Sequence, residues 1–152
     1  MSKDIIVGLD AGTSLIKFVA FDLDGKVIDS ASVRNKVYYR SGSKAEQSLN
    51  ETWDKVIDSF NQLQEKIDNL KDRILGISIT GQGDGSWPID KNAEPVGDAA
   101  LWLDGRSGDI IDDWRNSSIG PSISKITHTG LNASMQSGQN FLLPEKDVLP
   151  MH

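Results

Sequence analysis

The chain of 152 residues carries a formal net charge of −6, with 38% hydrophobic and 25% charged residues, which suits one globular domain or one lobe of a larger protein. The acidic balance argues against a nucleic-acid partner, whose backbone requires clustered lysine and arginine, and the lack of cysteine excludes disulfides and thiolate zinc sites. Because no apolar run reaches the length of a membrane span and the N-terminus lacks a signal-peptide apolar segment, we expect a cytoplasmic protein without a membrane partner.

The beginning of the chain predicts three strands. Residues 5–9 form a short apolar run typical of a buried strand, and residues 15–21 form a second β-rich run. Asp24-Gly25 is a hairpin signal that leads into a third strand over residues 26–33. Because short turns join the three strands, we expect an antiparallel meander.

A loop, a helix and a buried strand are predicted next. The polar, glycine-containing residues 34–43 predict a loop or an irregular edge, and Ser48 or Asn50 can cap the helix that follows. Residues 74–80 are apolar and predict a buried strand. The apolar face of the helix is marked by residues at three- and four-residue steps, namely Trp53, Val56, Ile57, Phe60, Leu63, Ile67 and Leu70.

The remaining predicted elements are shorter. They are an extended segment at 86–90, a turn at 91–95, a strand at 99–103, helices at 106–114 and within 119–128, and a helix start near 134. The whole order of strands and helices predicts a mixed α/β fold with an antiparallel start, rather than strict βαβ alternation.

The turn after the first strand is the first candidate functional segment. Gly12 permits close approach of the backbone to a ligand, so that nearby amides can point at phosphate oxygens. Asp10 can hold Mg²⁺ through water, while Thr13 adds a hydroxyl and Lys17 a cation. The alternative is a plain hairpin with an acidic turn residue, which is how we interpret Asp24-Gly25.

The second candidate is the glycine-rich segment Gly81-Gln82-Gly83-Asp84-Gly85. Three glycines at the end of a buried strand are unfavourable unless the backbone requires them. The Gln82 amide and the Asp84 carboxylate suit hydrogen bonding to vicinal hydroxyls. A glycine-rich bulge with solvated side chains explains the pattern equally well.

The third candidate contains Trp102, Asp104 and Arg106. Trp102 can offer an apolar wall to the carbon skeleton of a sugar. Asp104 and Arg106 are either ligands or a structural ion pair, and Asp104 is also placed to cap the following helix.

Taken in order, these segments resemble the FGGY family of carbohydrate kinases, which includes glycerol, xylulose, ribulose and erythritol kinases. The resemblance covers about residues 4–139 and rests on the succession and spacing of its motifs. The motifs are Asp10-x-Gly12-Thr13-x-x-x-Lys17, Glu46-Gln47 before the helix with Trp53, Gly76-Ile77-Ser78 leading to the glycine-rich segment, Trp102-Leu103-Asp104-Gly105-Arg106, and Thr129-Gly130-Leu131. The Gln82–Gly85 version is most similar to erythritol and related polyol kinases, with L-xylulose-type kinases as the nearest competitor.

This resemblance implies an actin-like (ribonuclease H-like) ATPase fold, in which two domains close over a cleft. It also implies ATP and Mg²⁺ as cofactors. The residues that it places on the nucleotide phosphates are Asp10, Gly12, Thr13 and Lys17, with Asp10 as the metal residue. The residues that it places on the substrate are Gln82, Gly83, Asp84, Trp102 and Asp104, with Gln136 near a further contact.

The implied reaction is transfer of the γ-phosphate of ATP to a hydroxyl of a small polyol or ketose, erythritol-like or xylulose-like. In the family, the general-base aspartate and the adenosine-binding loops belong to segments downstream of anything in this chain. We therefore assign no catalytic residue, and we expect the chain to be catalytically incompetent on its own. The alternatives are a non-catalytic actin-like module that binds a nucleotide or a partner, and a non-functional remnant.

The domain organisation implied by the resemblance is a truncated one. Residues 1–139 match a partial N-terminal kinase domain, residues 140–152 form an atypical tail, and the C-terminal domain is absent. In the tail, Pro144 disrupts the helix expected there. An apolar surface that normally packs on the absent part favours self-association, so we expect a homo-oligomer.

Overall fold

A computed structural model describes residues 3–142, and these residues form two compact units. The first unit contains residues 3–37 and 50–82, and the second contains residues 38–49 and 83–142. The strands are β1 (Ile5–Ala11), β2 (Leu15–Phe21), β3 (Val27–Arg34), β4 (Tyr38–Arg40), β5 (Lys44–Gln47), β6 (Ile74–Gly81), β7 (Gly85–Ser86) and β8 (Ala99–Leu101). The helices are α1 (Leu49–Lys66), α2 (Leu70–Arg73), α3 (Gly108–Arg115), α4 (Ile119–Thr127) and α5 (Gln136–Asn140).

The first unit is built on a four-stranded sheet with the order β3-β2-β1-β6. The antiparallel pairing of β1 with β2 and of β2 with β3 confirms the predicted meander. The turn between β2 and β3 closes because the Asp22 carboxylate accepts hydrogen bonds from the backbone N–H groups of Asp24 and Lys26, at 3.0 and 2.8 Å. Gly25 supplies the positive φ of 82° that this turn requires. β6 then joins the sheet parallel to β1.

The core of the first unit lies between one face of the sheet and α1. Period-two alternation along β1 and β2 directs every second side chain to that face. Phe18 and Phe60 meet edge to face, with ring centroids 5.4 Å apart. The buried core residues are Ile5, Val7, Leu9, Ile16, Phe18, Ala20, Ala31, Val56, Leu63, Ile67 and Leu70. Each large apolar side chain buried in this way stabilises the unit by about 1.5–3 kcal/mol relative to exposure.

The helix is present, but Trp53 and Ile57 of its predicted apolar face are 63% and 43% exposed, and its extent was predicted wrongly. α1 ends at Lys66 rather than at Leu70, and the separate α2 begins after Asn69, whose φ of 53° is left-handed. A left-handed residue cannot continue a right-handed helix. Ile67 and Leu70 are nevertheless buried in the same core as the residues of α1, although they follow its end.

The segment at residues 34–43, predicted as a loop or an irregular edge, includes a regular strand at the edge of a sheet. It contains β4, which pairs with β5 as an antiparallel hairpin. Gly42 and Ser43 form its turn with positive φ values of 74° and 59°. The strand is three residues long and polar, so its hydropathy carries no period-two signal.

The prediction that residues 74–80 are buried was wrong, although the strand itself is present as β6. Leu75, Ile77 and Ile79 are 55%, 53% and 71% exposed. β6 lies at the end of the sheet order, and the core beneath α1 includes only the partly buried Ile74 from this strand. The apolar run at residues 74–80 therefore predicted the strand correctly but not the exposure of its side chains.

The second unit contains an antiparallel sheet with the order β4-β5-β8-β7 and the helices α3, α4 and α5. The helices appear near the three predicted positions. α5 packs closely on α3, since a Cβ added at Gly138 would lie 2.9 Å from Cδ1 of Ile111. The buried Gln139 donates its side-chain N–H to the carbonyl of Leu101 at 3.1 Å, which ties α5 to β8.

The described residues leave most of the predicted tail untested. The tail prediction for residues 140–152, including Pro144, lies outside the described residues from position 143 onward. Within residues 3–142, no helix is long and apolar enough to cross a membrane.

Candidate functional site

In the first unit, two of the predicted segments meet at one edge of the sheet. β1 and β6 are parallel neighbours, and their last residues, Ala11 and Gly81, pair in register. The carboxyl ends of parallel strands lie side by side, which is where ligands bind in open α/β sheets. The turn that starts at Gly12 and the side chain of Gln82 therefore leave the sheet next to each other.

A direct hydrogen bond joins these two segments. The Thr13 hydroxyl donates to Oε1 of Gln82 at 2.8 Å, although the two residues lie 69 positions apart. Both residues are half-buried. The sequence predicts a role for each of them but not this contact, since the parallel pairing of β1 with β6 is what creates it.

The turn at Gly12 is tight for a local reason. Its N–H donates to the carbonyl of Leu15 at 3.1 Å, and a Cβ on Gly12 would lie only 2.8 Å from that oxygen. Asn35 supports the turn, because its N–H donates to the carbonyl of Ser14 at 3.0 Å. The amide of Gly12 is thus engaged within the turn, and the pointing of amides near Gly12 to Ser14 at phosphate oxygens stays a prediction.

Asp10 and Lys17 face each other across β1 and β2. They are Cα partners in the antiparallel pairing, and both side chains are exposed. Together with apolar residues such as Phe21, they line a depression of about 200 Å³ on the face of the sheet opposite α1. This places one carboxylate and one ammonium group beside the turn that begins at Gly12.

Asp10 can contribute one carboxylate to a metal ion. Among residues 3–142, no group of three or more histidine, aspartate or glutamate residues comes close enough together to hold an ion. Mg²⁺ keeps several waters and commonly binds one or two carboxylates together with substrate phosphates. The surroundings of Asp10 therefore suit a hydrated ion that arrives with a nucleotide, rather than a closed protein cage.

In the second unit, the exposed Asp84 is attached to the segment before α5. Oγ of Ser134 lies 3.2 Å from Oδ2 of Asp84 and 2.5 Å from Oδ1 of Asn132, and the N–H of Gly85 donates to the carbonyl of Ser134 at 3.3 Å. Gly85 is required for two reasons. Its φ is 101°, and a Cβ there would lie 2.6 Å from the carbonyl oxygen of Ala100. A Cβ at Gly83 would meet nothing within 4 Å, so packing within the chain does not require glycine there.

Trp102 and Gln136 also lie in the second unit. Trp102 directly follows β8 and is 49% exposed, and Gln136 is the exposed first residue of α5. An exposed indole and an exposed amide are both available to a ligand. Their assignment to a substrate stays a prediction.

Asp104 is enclosed by the protein itself. It is 1% exposed and accepts hydrogen bonds from the backbone N–H of Ala45 at 2.8 Å and from Nε and Nη2 of Arg106 at 2.8 and 2.7 Å. The residue before α3 is Ser107, so Asp104 is not its cap. These contacts favour the structural ion pair over the ligand role, and direct substrate contact by Asp104 remains an untested prediction.

Glu46 completes this network, and the sequence showed it only as part of a motif. Nη2 of Arg106 lies 2.6 Å from Oε1 of Glu46, while Nε of Arg40 lies 2.8 Å from Oε2. Burial alone would raise the pKa values of Asp104 and Glu46. Together, the arginine side chains and, for Asp104, the backbone N–H groups of Ala45 and Arg106 outweigh burial and hold both pKa values below their ordinary range. The antiparallel pairing of β5 with β8 brings Glu46 near Arg106, and this pairing is seen in the structure rather than in the sequence.

The chain was compared with protein families and with proteins of known function. Residues 5–139 match the family described as the FGGY family of carbohydrate kinases, N-terminal domain. An erythritol kinase from Brucella abortus is 40% identical over 136 residues, which cover 90% of this chain and 26% of that protein. A xylulose kinase from Staphylococcus epidermidis is 35% identical over 107 residues, which cover 70% of this chain and 22% of that protein. The chain thus spans about a quarter of the length of these relatives.

Solved structures agree in fold. The xylulose kinase from Rhodospirillum rubrum superposes with a TM-score of 0.82 at 21% identity, over 89% of this chain and 28% of that one. The gluconate kinase from Lactobacillus acidophilus superposes with a TM-score of 0.73 at 26% identity, over 80% and 24% of the two chains. These similarities confirm the predicted mixed α/β fold of the actin-like ATPase type.

Proposed function

The chain belongs to the FGGY family of carbohydrate kinases, and we propose that it is the N-terminal lobe of an enzyme that transfers the γ-phosphate of ATP to a hydroxyl of a small polyol or ketose. The observation that carries this proposal is the hydrogen bond from Thr13 to Gln82. It joins the turn that we assign to the nucleotide phosphates with a residue that we assign to the acceptor. Phosphoryl transfer depends mainly on holding donor and acceptor in position and on neutralising charge, so the two groups must be bound side by side.

We assign the nucleotide side to Asp10, Gly12, Thr13 and Lys17. The Lys17 ammonium neutralises phosphate charge, and the Thr13 hydroxyl donates to a phosphate oxygen. Asp10 would hold Mg²⁺ through water, and the ion would offset phosphate charge there. Gly12 contributes by keeping the turn narrow, since its own N–H is committed to Leu15.

We assign the acceptor side to Gln82, Gly83, Asp84 and Trp102. The Gln82 amide and the Asp84 carboxylate bind hydroxyls, and the Ser134 hydroxyl lies 3.2 Å from that carboxylate. Glycine at position 83 leaves the backbone open to close approach by a ligand. Trp102 supplies an apolar wall. Asp104 acts indirectly in this account, by fixing Arg106 and β5.

For the acceptor we favour a four-carbon polyol such as erythritol, with a ketose such as xylulose next. The 40% identity to an erythritol kinase supports this order over the 35% identity to a xylulose kinase. A cytoplasmic location, where ATP is available, belongs to the proposal. We further propose that residues 1–152 alone do not complete the transfer, since they correspond to 26% of that relative.

Isothermal titration calorimetry on this chain tests the acceptor assignment. We expect Asp84→Asn to raise the Kd for the polyol at least about tenfold, which corresponds to about 1.4 kcal/mol, because the variant loses charge-assisted hydrogen bonds. The Kd for MgATP should stay within about twofold. A matched control is Asp113→Asn, which removes an exposed carboxylate from α3.

The ligand panel separates the competing functions. Binding of one tetritol, pentitol or ketose that weakens only in Asp84→Asn supports the kinase lobe. Binding of MgATP with no polyol bound by the wild-type chain supports the non-catalytic nucleotide module instead. An unchanged polyol Kd in Asp84→Asn contradicts the role of Asp84.

We also propose that this chain associates with itself through β6. The strand is eight residues long, uncharged and free of proline, and its apolar side chains are exposed at the end of the sheet. An edge of this kind is a template for pairing with another strand. A β6 strand from a second copy can pair with this β6 in antiparallel orientation, since no like charges would then lie opposite each other.

A further inference from the structure

We propose that Ser134 is a substrate-binding residue, whose hydroxyl oxygen forms with Oδ2 of Asp84 a pair of acceptors for two neighbouring hydroxyls of the polyol. The inference rests on the proposed function, because it takes Asp84 to meet the molecule that receives the phosphoryl group. The two oxygen atoms lie 3.2 Å apart, and both residues belong to the second unit. Asp84 is exposed and Ser134 is half-buried, so the pair lies at the surface of that unit.

The position of the Ser134 hydrogen decides whether this hydroxyl donates or accepts. A serine hydroxyl has one hydrogen to donate and two lone pairs. Its oxygen lies 2.5 Å from Oδ1 of Asn132 and 3.2 Å from Oδ2 of Asp84. Because hydrogen bonds from a hydroxyl to an oxygen span about 2.5–3.0 Å, the hydrogen is directed at Asn132 and not at Asp84.

The orientation of the Asn132 side chain agrees with this assignment. Its Oδ1 also accepts the backbone N–H of Ser134 at 3.0 Å, and its Nδ2 donates to the carbonyl of Gly130 at 3.4 Å. The atom that faces Ser134 is therefore an acceptor, which takes up the hydroxyl hydrogen. Asn132 is a positioning residue in this account, because a hydroxyl that donates to Asn132 meets Asp84 with its lone pairs.

Two acceptors at this distance suit a vicinal diol. Since neither oxygen offers a hydrogen to the other, the pair is stabilised by a ligand that brings two donors. Neighbouring hydroxyls on a carbon chain hold their oxygens a similar distance apart when they are gauche. One hydroxyl of the polyol then donates to Asp84 and the next one donates to Ser134. A ketose has fewer such pairs, because its carbonyl oxygen only accepts.

The backbone around Ser134 is fixed by contacts from two sides. The hydroxyl of the fully buried Ser107 donates to the carbonyl of Ala133 at 2.7 Å. The N–H of Gly85 donates to the carbonyl of Ser134 at 3.3 Å, which joins the segment of Asp84 to the segment of Ser134. A pair of acceptors that is held in place before the ligand arrives costs less to order on binding.

Nuclear magnetic resonance of the Asp84 carboxyl carbon tests the hydrogen assignment in the ligand-free chain. Asn132→Ala removes the acceptor, so the Ser134 hydrogen should turn to Oδ2 of Asp84 and shift this resonance. Combining Asn132→Ala with Ser134→Ala removes the hydroxyl as well, so the resonance should return toward its wild-type position. Ser134→Ala alone should leave it nearly unchanged. A shift in Ser134→Ala as large as that in Asn132→Ala means that Ser134 already donates to Asp84, which overturns the inference.

Isothermal titration calorimetry tests the contact with the polyol. We expect Ser134→Ala to raise the Kd for erythritol at least about threefold, the effect of one lost hydrogen bond, and Ser134→Thr to restore it. The Kd for MgATP should stay within about twofold in both variants. Ser137→Ala, which removes an exposed hydroxyl from α5, is the matched control and should bind erythritol like the wild type.

Deoxy analogues of erythritol, each lacking one hydroxyl, separate contact from a structural effect. With the analogue that lacks the hydroxyl bound by Ser134, Ser134→Ala should cause no further loss of affinity, since the two changes remove the same interaction. An equal loss with erythritol and with every deoxy analogue overturns the inference, because Ser134 then acts only through the fold.

Failure of the proposed function gives a different pattern. A wild-type chain that does not bind erythritol contradicts the proposed acceptor, and the acceptor pair is refuted with it. If erythritol binds, binds more weakly to Asp84→Asn, and binds to Ser134→Ala as tightly as to the wild type, the proposed function stands and only the role of Ser134 is overturned.

Discussion

At Asp104, the carboxylate accepts hydrogen bonds from the side chain of Arg106 and from the backbone of Ala45, and it is almost fully enclosed. Its pKa lies below the ordinary value because these hydrogen bonds outweigh the effect of burial. A group whose pKa is lowered on folding binds fewer protons in the folded state than in the unfolded state. Its contribution to stability is present above the unfolded pKa of about 4 and is lost as the pH falls through the folded pKa.

We therefore expect Asp104→Asn to lower the free energy of unfolding at pH 7 by about 1.5–3 kcal/mol, the range for hydrogen bonds to charged groups. The difference from wild type should shrink as the pH falls below about 4, because the wild-type carboxyl is then becoming protonated. Urea unfolding of both proteins at several pH values between 7 and 3 measures this.

Asp98→Asn is the control for this prediction. Asp98 forms a 3.5 Å ion pair with the exposed Arg40, and loss of such a surface pair should cost less than about 1 kcal/mol. An Asp104→Asn variant as stable as the wild type at pH 7 would show that the network around Arg106 does not support the second unit.

Single residues also show how far the sequence predicts the site. The motifs containing Asp10, Thr13 and Gln82 were predicted to act together only through resemblance, and the structure brings Thr13 and Gln82 into contact. Composition and spacing cannot reveal a contact between residues 69 positions apart when it depends on a parallel strand pairing. The burial of Asp104 could not be predicted either, because both of its roles were compatible with the same motif.

At the scale of elements, predictions succeeded where a strong local pattern exists. The β1–β3 meander was predicted because the runs at residues 5–9 and 15–21 and the Asp24-Gly25 turn agree. The β4–β5 hairpin was missed because short polar strands have no hydropathy period and are held partly by pairing with the distant β8. For β6, the apolar run predicted the strand correctly, but its exposure depends on what packs beside it.

The exposed β6 strand leads to a prediction about association. We expect Ile77→Lys to reduce dimer formation by this chain strongly, because a charge on the exposed edge strand opposes pairing with a second copy. Sedimentation velocity over a range of concentrations measures this. The wild-type chain should show a concentration-dependent dimer.

Ile126→Lys is the matched control, since Ile126 is 78% exposed on α4 in the second unit. It should associate like the wild type. A wild-type chain that remains monomeric at the highest concentration, or an Ile77→Lys variant that dimerises equally well, contradicts the role of β6.

At the scale of the whole molecule, the residues that we assign to ligands are distributed over two compact units. The turn from Asp10 to Lys17 and the side chain of Gln82 belong to the first unit, while Asp84 and Trp102 belong to the second. We propose that this chain binds both a nucleotide and a polyol through these segments. Each segment therefore has its own expected ligand response, and the two responses can be measured separately.

The most direct measurement is a residue-resolved magnetic resonance titration of the wild-type chain with MgATP and, separately, with erythritol. We predict that MgATP shifts the backbone amides of residues 10–17, and that erythritol shifts those of residues 82–84 together with the indole of Trp102. Ligand-induced shifts confined to other regions, or no shifts with either ligand at millimolar concentration, would contradict the account.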